Sequence, residues 1–175
     1  MTGASLPSGG ASGPTAWVFT LRPRPVGMDA HIEGVRVAES PSGVVAVVTL
    51  GVEDQADVLP IFVGFEEAAS IARGLDATDI GRPLTHDLLL DVTEELGGRV
   101  DRVVVSSIDD GTYIADLHLD TPRESVTVDA RPSDSLALAA RTGADIAVEQ
   151  SVFDAGREPI EEYAGLEDIR GMIGA

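Results

Sequence analysis

The chain contains no cysteine and no lysine. Without cysteine there is no disulfide framework, no thiolate nucleophile and no cysteine-ligated zinc, so any bound metal must be held by His, Asp or Glu. Without lysine, all 12 basic side chains are arginines, set against 30 Asp and Glu for a formal net charge of −18. That balance opposes plain electrostatic capture of a phosphate backbone unless arginines cluster locally, a cation intervenes or salt is high. At about 1 M salt the Debye length is roughly 3 Å, so a lysine-free acidic surface also reads as a halophilic adaptation to a salt-rich cytoplasm. Aromatics are scarce, with four Phe, two Tyr and one Trp, which leaves little for base stacking. The longest apolar run, Val44 to Leu50, falls far short of the roughly 20 residues of a membrane helix, and no basic region precedes an apolar block near Met1. The expectation is a soluble, cytoplasmic protein with no membrane partner.

What is present suffices for one domain with its own core, at 175 residues and 43% hydrophobic content. Residues 1–27 are rich in Gly, Ser and Pro and carry no acidic side chain, which predicts a disordered leader; Met28 is a candidate alternative start. The domain is expected over 28–154, with an acidic tail or helix over 155–175.

From His31 the pattern reads strand, Ser-Pro-Ser-Gly turn, strand, polar loop, strand and helix. Val44 to Leu50 is apolar on both faces and predicts a central strand. A second helix is expected from Thr85 as N-cap, with Leu89, Val92 and Leu96 as its apolar stripe and Gly97-Gly98 as its stop. Residues 100–119 then form a hairpin around Asp109-Asp110-Gly111, followed by a strand ending in Arg131 and a helix opened by Pro132. An offset of 68 places Gly43 on Gly111, Val63 on Arg131, Glu66 on Asp134 and Arg73 on Arg141. The spacing predicts an internal duplication of a strand-turn-strand-strand-helix unit, hence an α+β fold with a mainly antiparallel curved sheet and packed helices. The tail, Ile160 to Ile173, reads as an acidic amphipathic helix or a frayed end.

Most of the polar chemistry falls in two stretches. VDARPSDSLALAAR, Val128 to Arg141, joins a strand end to a helix start and holds Arg131, Asp134 and Arg141. Ser133 and Asp134 suit a helix N-terminus and Arg141 a C-terminus, so capping alone accounts for them. RPLTHDLL, Arg82 to Leu89, sets His86 beside Asp87 at a loop-helix junction, where an imidazole can exchange a proton or bind metal. Arg82, Arg131 and Arg141, with Arg73, are candidates for a phosphate clamp. Paired with Asp129, Asp134 and Glu66, the same arginines make an internal ion-pair network instead. His31 starts a strand and has no marked partner, His118 shares a strand face with Asp116 and Asp120 that reads as a solvated face, and Ser133 and Ser135 have no nucleophile setting.

Taken with LPIFVGFEEAASIA, Leu59 to Ala72, these stretches resemble the bifunctional nuclease domain family over about Met28 to Asp154. The resemblance implies an α+β domain, often a homo-oligomer, that hydrolyses both DNA and RNA. It places Arg82, Thr85, His86 and Asp87 in one motif, and Arg131, Pro132, Ser133, Asp134 and Arg141 in another. The roles expected on that basis are His86, Asp87 and Asp134 as catalytic residues, with His86 as general base or metal ligand. Asp87 and Asp134 would hold a divalent cation, Mg²⁺ or Mn²⁺, and Arg82, Arg131 and Arg141 the phosphate. The alternative is a non-catalytic binding or assembly module for a small anionic ligand or a protein partner.

Overall fold

In the computed structural model, residues 27–40, 43–78 and 81–173 are described. Strands β1 (Met28–Ser40), β2 (Gly43–Val52) and β3 (Asp57–Val63) lead into helix α1 (Phe65–Leu75). Helix α2 (Thr85–Glu95) follows, then β4 (Arg99–Asp109), β5 (Thr112–Asp120), β6 (Ser125–Ala130) and α3 (Pro132–Thr142). The chain closes with β7 (Asp145–Val148), α4 (Gln150–Gly156), β8 (Glu158–Pro159), β9 (Glu167–Asp168) and α5 (Arg170–Ile173).

These strands form one sheet in the order β6-β5-β4-β7-β1-β2-β3-β8, with β9 also paired to β1. Every pairing is antiparallel except β4 with β7. The two three-stranded units therefore lie on either side of β7, each followed by its own helix. This is the α+β architecture expected, with α2 inserted between the repeats.

The repeat is carried by element order and by one shared irregularity, not by a constant offset. Bulges interrupt β1 at Ile32/Gly34 and β4 at Val100/Arg102, 68 residues apart. A second bulge in β4, between Val105 and Ser107, adds a residue, so the hairpin ends Ser40↔Gly43 and Asp109↔Thr112 stand 69 apart. β2 and β3 have 10 and 7 residues where β5 and β6 have 9 and 6, which brings the helix N-caps, Gly64 and Arg131, to 67 apart. Arg131 thus matches Gly64 rather than Val63, and Asp134 matches Glu67 rather than Glu66. The Asp110-Gly111 loop has φ of 46° and 77°, the left-handed pair that a two-residue hairpin needs and that Gly adopts without strain.

Alternation along β2 serves two layers. Ala46, Val48, Leu50 and Val52 join Val35, Leu59, Ile71, Leu136 and Phe153 in the main core. Val47, on the opposite face, packs with Val58 and Tyr163. Each fully buried Leu, Ile or Phe stabilises by roughly 1.5–3 kcal/mol relative to exposure. The segment after Gly156 supplies that second layer, and it is neither a continuous helix nor a frayed end. Pro159 and Gly165 interrupt helical bonding, while β8 pairs with β3, β9 pairs with β1, and Tyr163 and Ile169 are buried. Residues 1–26 lie outside the described residues.

α1 and α3 pack against each other through small residues. A methyl group added at Gly74 would come within 3.0 Å of the Ala140 Cβ and of Arg141 Nη1, so glycine sets how closely the helices approach. α3 has Pro132 at its first turn and closes on Gly143 at φ 69°, as its sequence predicts. α2 differs from both, since none of its residues is buried. Its N-cap is Leu84, one residue before the expected Thr85, because the Asp87 carboxylate accepts the Leu84 N–H at 2.8 Å. Leucine has no side-chain acceptor, so only this half of a capping box exists.

Candidate functional site

Each of the three long helices has a carboxylate at its third residue: Glu67 in α1, Asp87 in α2 and Asp134 in α3. That position suits a negative charge, because the first N–H groups of a helix lack partners and carry the positive dipole end. In this fold each of the three carboxylates also meets an arginine.

Arg131, at the N-cap of α3, donates from Nε and Nη2 to Asp134 at 2.7 and 2.9 Å, and from Nη1 to Glu67 at 3.3 Å. Its side chain is 66% exposed, so it spans the two helix starts with one side open to solvent. The Asp134 bond raises the Arg131 pKa, and the Arg131 bond, aided by His86, holds the Asp134 carboxyl below its usual range.

Arg141 faces inward, with only 9% of its side chain exposed. It donates to Asp87 at 2.5 Å, to the Ser70 and Ala137 carbonyls at 2.9 Å each, and to Ser70 Oγ at 3.2 Å. Burial opposes ionisation of Asp87 most strongly, but the Arg141 bond and the Leu84 N–H together outweigh it and keep the carboxyl low.

His86 joins the two arginine pairs. Its Nδ1 lies 2.9 Å from Ser70 Oγ and its Nε2 3.3 Å from Asp134 Oδ1. Ionised Asp134 can only accept, so Nε2 carries a proton. In the neutral ring Nδ1 then accepts the Ser70 O–H; in the charged ring Nδ1–H donates to a Ser70 lone pair. Ser70 therefore holds the imidazole in one orientation through both protonation states.

Glu67 and Ser70 are additions to the residues expected from sequence. A polar serine among Ala68, Ala69, Ile71 and Ala72, one turn beyond Glu67, was the available signal. Arg82 is exposed and makes no hydrogen bond or ion pair with a described residue. Arg73 borders a hollow of about 300 Å³ with Asp87 and Arg141, and its side chain likewise makes no such bond with a described residue. His31 pairs with Glu33 and His118 with Thr127, both on strands away from this cluster. Ser133 is buried, and Ser135 is buried with its hydroxyl unpartnered.

The oxygens of Asp87 and Asp134 are taken by arginine, histidine and backbone donors, and among the described residues no group of three His, Asp or Glu side chains is arranged to hold a metal ion. As arranged, the carboxylates do not fit a shared cation.

The family model of the bifunctional nuclease domain matches residues 48–161, more than half of the chain and the whole of this cluster. The chain belongs to the bifunctional nuclease domain family. Two curated relatives of this bifunctional nuclease domain come from Mycobacterium tuberculosis. They are the uncharacterized protein MT1877 of strain CDC 1551 / Oshkosh and the uncharacterized protein Rv1829 of strain ATCC 25618 / H37Rv. Each is 37% identical over 125 residues, covering 71% of this chain and 73% of the relative. The family match starts inside β2, yet β1 lies within the sheet, so the folded bifunctional nuclease domain extends upstream of it. No helix among the described residues is long and apolar enough to cross a membrane.

Proposed function

We propose that this bifunctional nuclease domain hydrolyses phosphodiester bonds in DNA and RNA at the Arg131–Asp134–His86 cluster. The observation that carries this reading is the pairing of an exposed arginine with a histidine on one carboxylate. Arg131 grips the scissile phosphate by exchanging one carboxylate contact for a phosphate oxygen, where its planar fork can bind bidentately and offset developing charge. His86 works at Nε2 from the charged ring, whose Nδ1–H stays on Ser70: it delivers the Nε2 proton to the departing sugar oxygen as the P–O bond breaks, and the bare Nε2 this leaves takes the proton of the attacking water. Asp134 aligns both groups. Ser70, Arg141 and Asp87 position the ring, and exposed Arg82 follows the polyanion outside the cluster.

A Mg²⁺ or Mn²⁺ requirement is proposed separately: a cation arriving with the substrate would stabilise phosphate charge, and it would have to displace a guanidinium from Asp134. The second reading, a non-catalytic module binding an anion or assembling with a partner or a second copy, is favoured by the net charge of −18 and by the arginine contact on each helix-start carboxylate.

The test is cleavage of labelled single-stranded DNA, duplex DNA and RNA in molar KCl with Mg²⁺, Mn²⁺ or chelator. Wild type is compared with His86→Ala and Asp134→Asn. Activity lost in both variants supports the reading, and loss with chelator supports the cation. Full activity in both variants refutes the assignment. Protection from melting by phosphate or nucleotide without turnover favours the binding module.

A further inference from the structure

Beside Arg131 lies a cleft of about 340 Å³, within the size range of small-ligand sites. One wall comes from the first repeat, through Phe62, Val63 and Glu67, and the other from the second, through Tyr113, Arg131 and Pro132. The hairpin loop of β4 and β5 therefore reaches across to the end of β3, and the cleft opens where α1 and α3 both begin.

Phe62 is the feature that lacks a structural reason. It is 64% exposed on a strand whose preceding residues Val58, Leu59, Pro60 and Ile61 are all buried. In a chain with four Phe, one ring is left in water at a cleft that exposed Arg131 also lines. Solvated strand faces normally carry polar side chains, so the ring is uncompensated unless something flat and apolar covers it.

We infer that this cleft is a nucleotide subsite, with one nucleobase stacked on Phe62 and the adjoining phosphate held by Arg131. The inference rests on the nuclease reading and adds to it the place where one base is held. A π-face recognises any base, which suits a site acting on more than one nucleic acid. Glu67 opposes it: its carboxylate lines the cleft and occupies Arg131 Nη1, so it competes with the incoming phosphate.

The experiment uses the full chain with Phe62→Trp as an internal reporter, in a Trp17→Phe background so that residue 62 carries the only indole. AMP, GMP, CMP and UMP are titrated separately, with inorganic phosphate as control. Saturable fluorescence quenching by the nucleotides is expected. Affinity should weaken about tenfold in Arg131→Gln and strengthen in Glu67→Gln. In parallel, Phe62→Ala should raise KM for an oligonucleotide by about five- to a hundredfold, the worth of one base stack. Quenching that saturates in a protein with no cleavage under any condition keeps the subsite and removes the nuclease reading. Cleavage with an unchanged KM in Phe62→Ala and a silent reporter removes the subsite and keeps the nuclease. Quenching by phosphate equal to that by nucleotides also overturns the stacking assignment.

Discussion

Arg131 and Arg141 stand ten positions apart in one motif, yet they should fail in opposite ways when truncated. Arg141→Ala removes four hydrogen bonds made by a guanidinium that is 9% exposed, two of them to Ser70 and one to Asp87. Breaking a buried ion pair costs about 3–5 kcal/mol, but the half-exposed Asp87 carboxylate regains water and keeps the Leu84 N–H. The expected loss is therefore about 2–4 kcal/mol, including the packing of the arginine stem. Arg131→Ala removes a side chain that is 66% exposed, where solvent screens the pair, and should leave stability almost unchanged. Urea unfolding followed by circular dichroism separates the two. Arg141→Ala should lower the midpoint by roughly 1–2 M with an unchanged slope, and Arg131→Ala should leave it nearly in place while abolishing activity. A double-mutant cycle between Arg141→Ala and Asp87→Ala should return a coupling of about 1–3 kcal/mol. If Arg141→Ala cost less than about 1 kcal/mol, or Arg131→Ala as much as Arg141→Ala, the division between positioning and phosphate-binding arginines would be wrong.

Three further outcomes follow from the same structure. Asp87, Asp134 and Asp76 all have folded pKa values below their unfolded ones, so the stability they contribute is present above about pH 4 and lost as pH falls through the lowered values. Midpoints measured from pH 6 to 2 should drop only below about 4, and less so in Arg141→Ala; a flat profile would contradict the pairing. Gly74→Ala gains about 1 kcal/mol of helix propensity but overpacks rigid α3 by about 1–3, so a net loss of about 1 kcal/mol in Tm or urea scans is expected, and stabilisation would show that α3 yields. With a formal charge of −18, molar KCl should raise both solubility and the unfolding midpoint, and no difference from dilute buffer would argue against salt adaptation.

The order of elements was legible because two periodicities, the capping signals of α3 and the Asp110-Gly111 turn each act locally. The site was legible in its types but not in its pairings. A single offset of 68 matched Glu66 to Asp134, whereas the shorter β5 and β6 shift the match to Glu67, the residue that reaches Arg131. Arg141 looked like Arg131 because both lie in one motif, and only the packing of α3 on α1 turns one inward. The position of β7, parallel to β4 and between the repeats, depends on long-range pairing that no local pattern encodes. The helix or frayed end expected over Ile160 to Ile173 is replaced by short elements for a related reason, since β3 and β1 offer strand partners to a segment that Pro159 and Gly165 break.

α2 inverts the usual arrangement of a surface helix. Leu84, Leu88, Leu89, Val92 and Leu96 are exposed, Leu96 by 75%, while His86 and Asp87 supply its side-chain hydrogen bonds to α1 and α3. Little apolar area is released when it lifts, so its local opening free energy lies well below that of the whole domain, and its amides should exchange ahead of those in α1 and α3. His86 travels with it. If lifting costs about 2 kcal/mol, the imidazole is away from Asp134 in roughly 3% of molecules, and anything that covers the leucine stripe closes that fraction. The occupancy of the assembled site is thereby set at a surface that touches none of its chemistry.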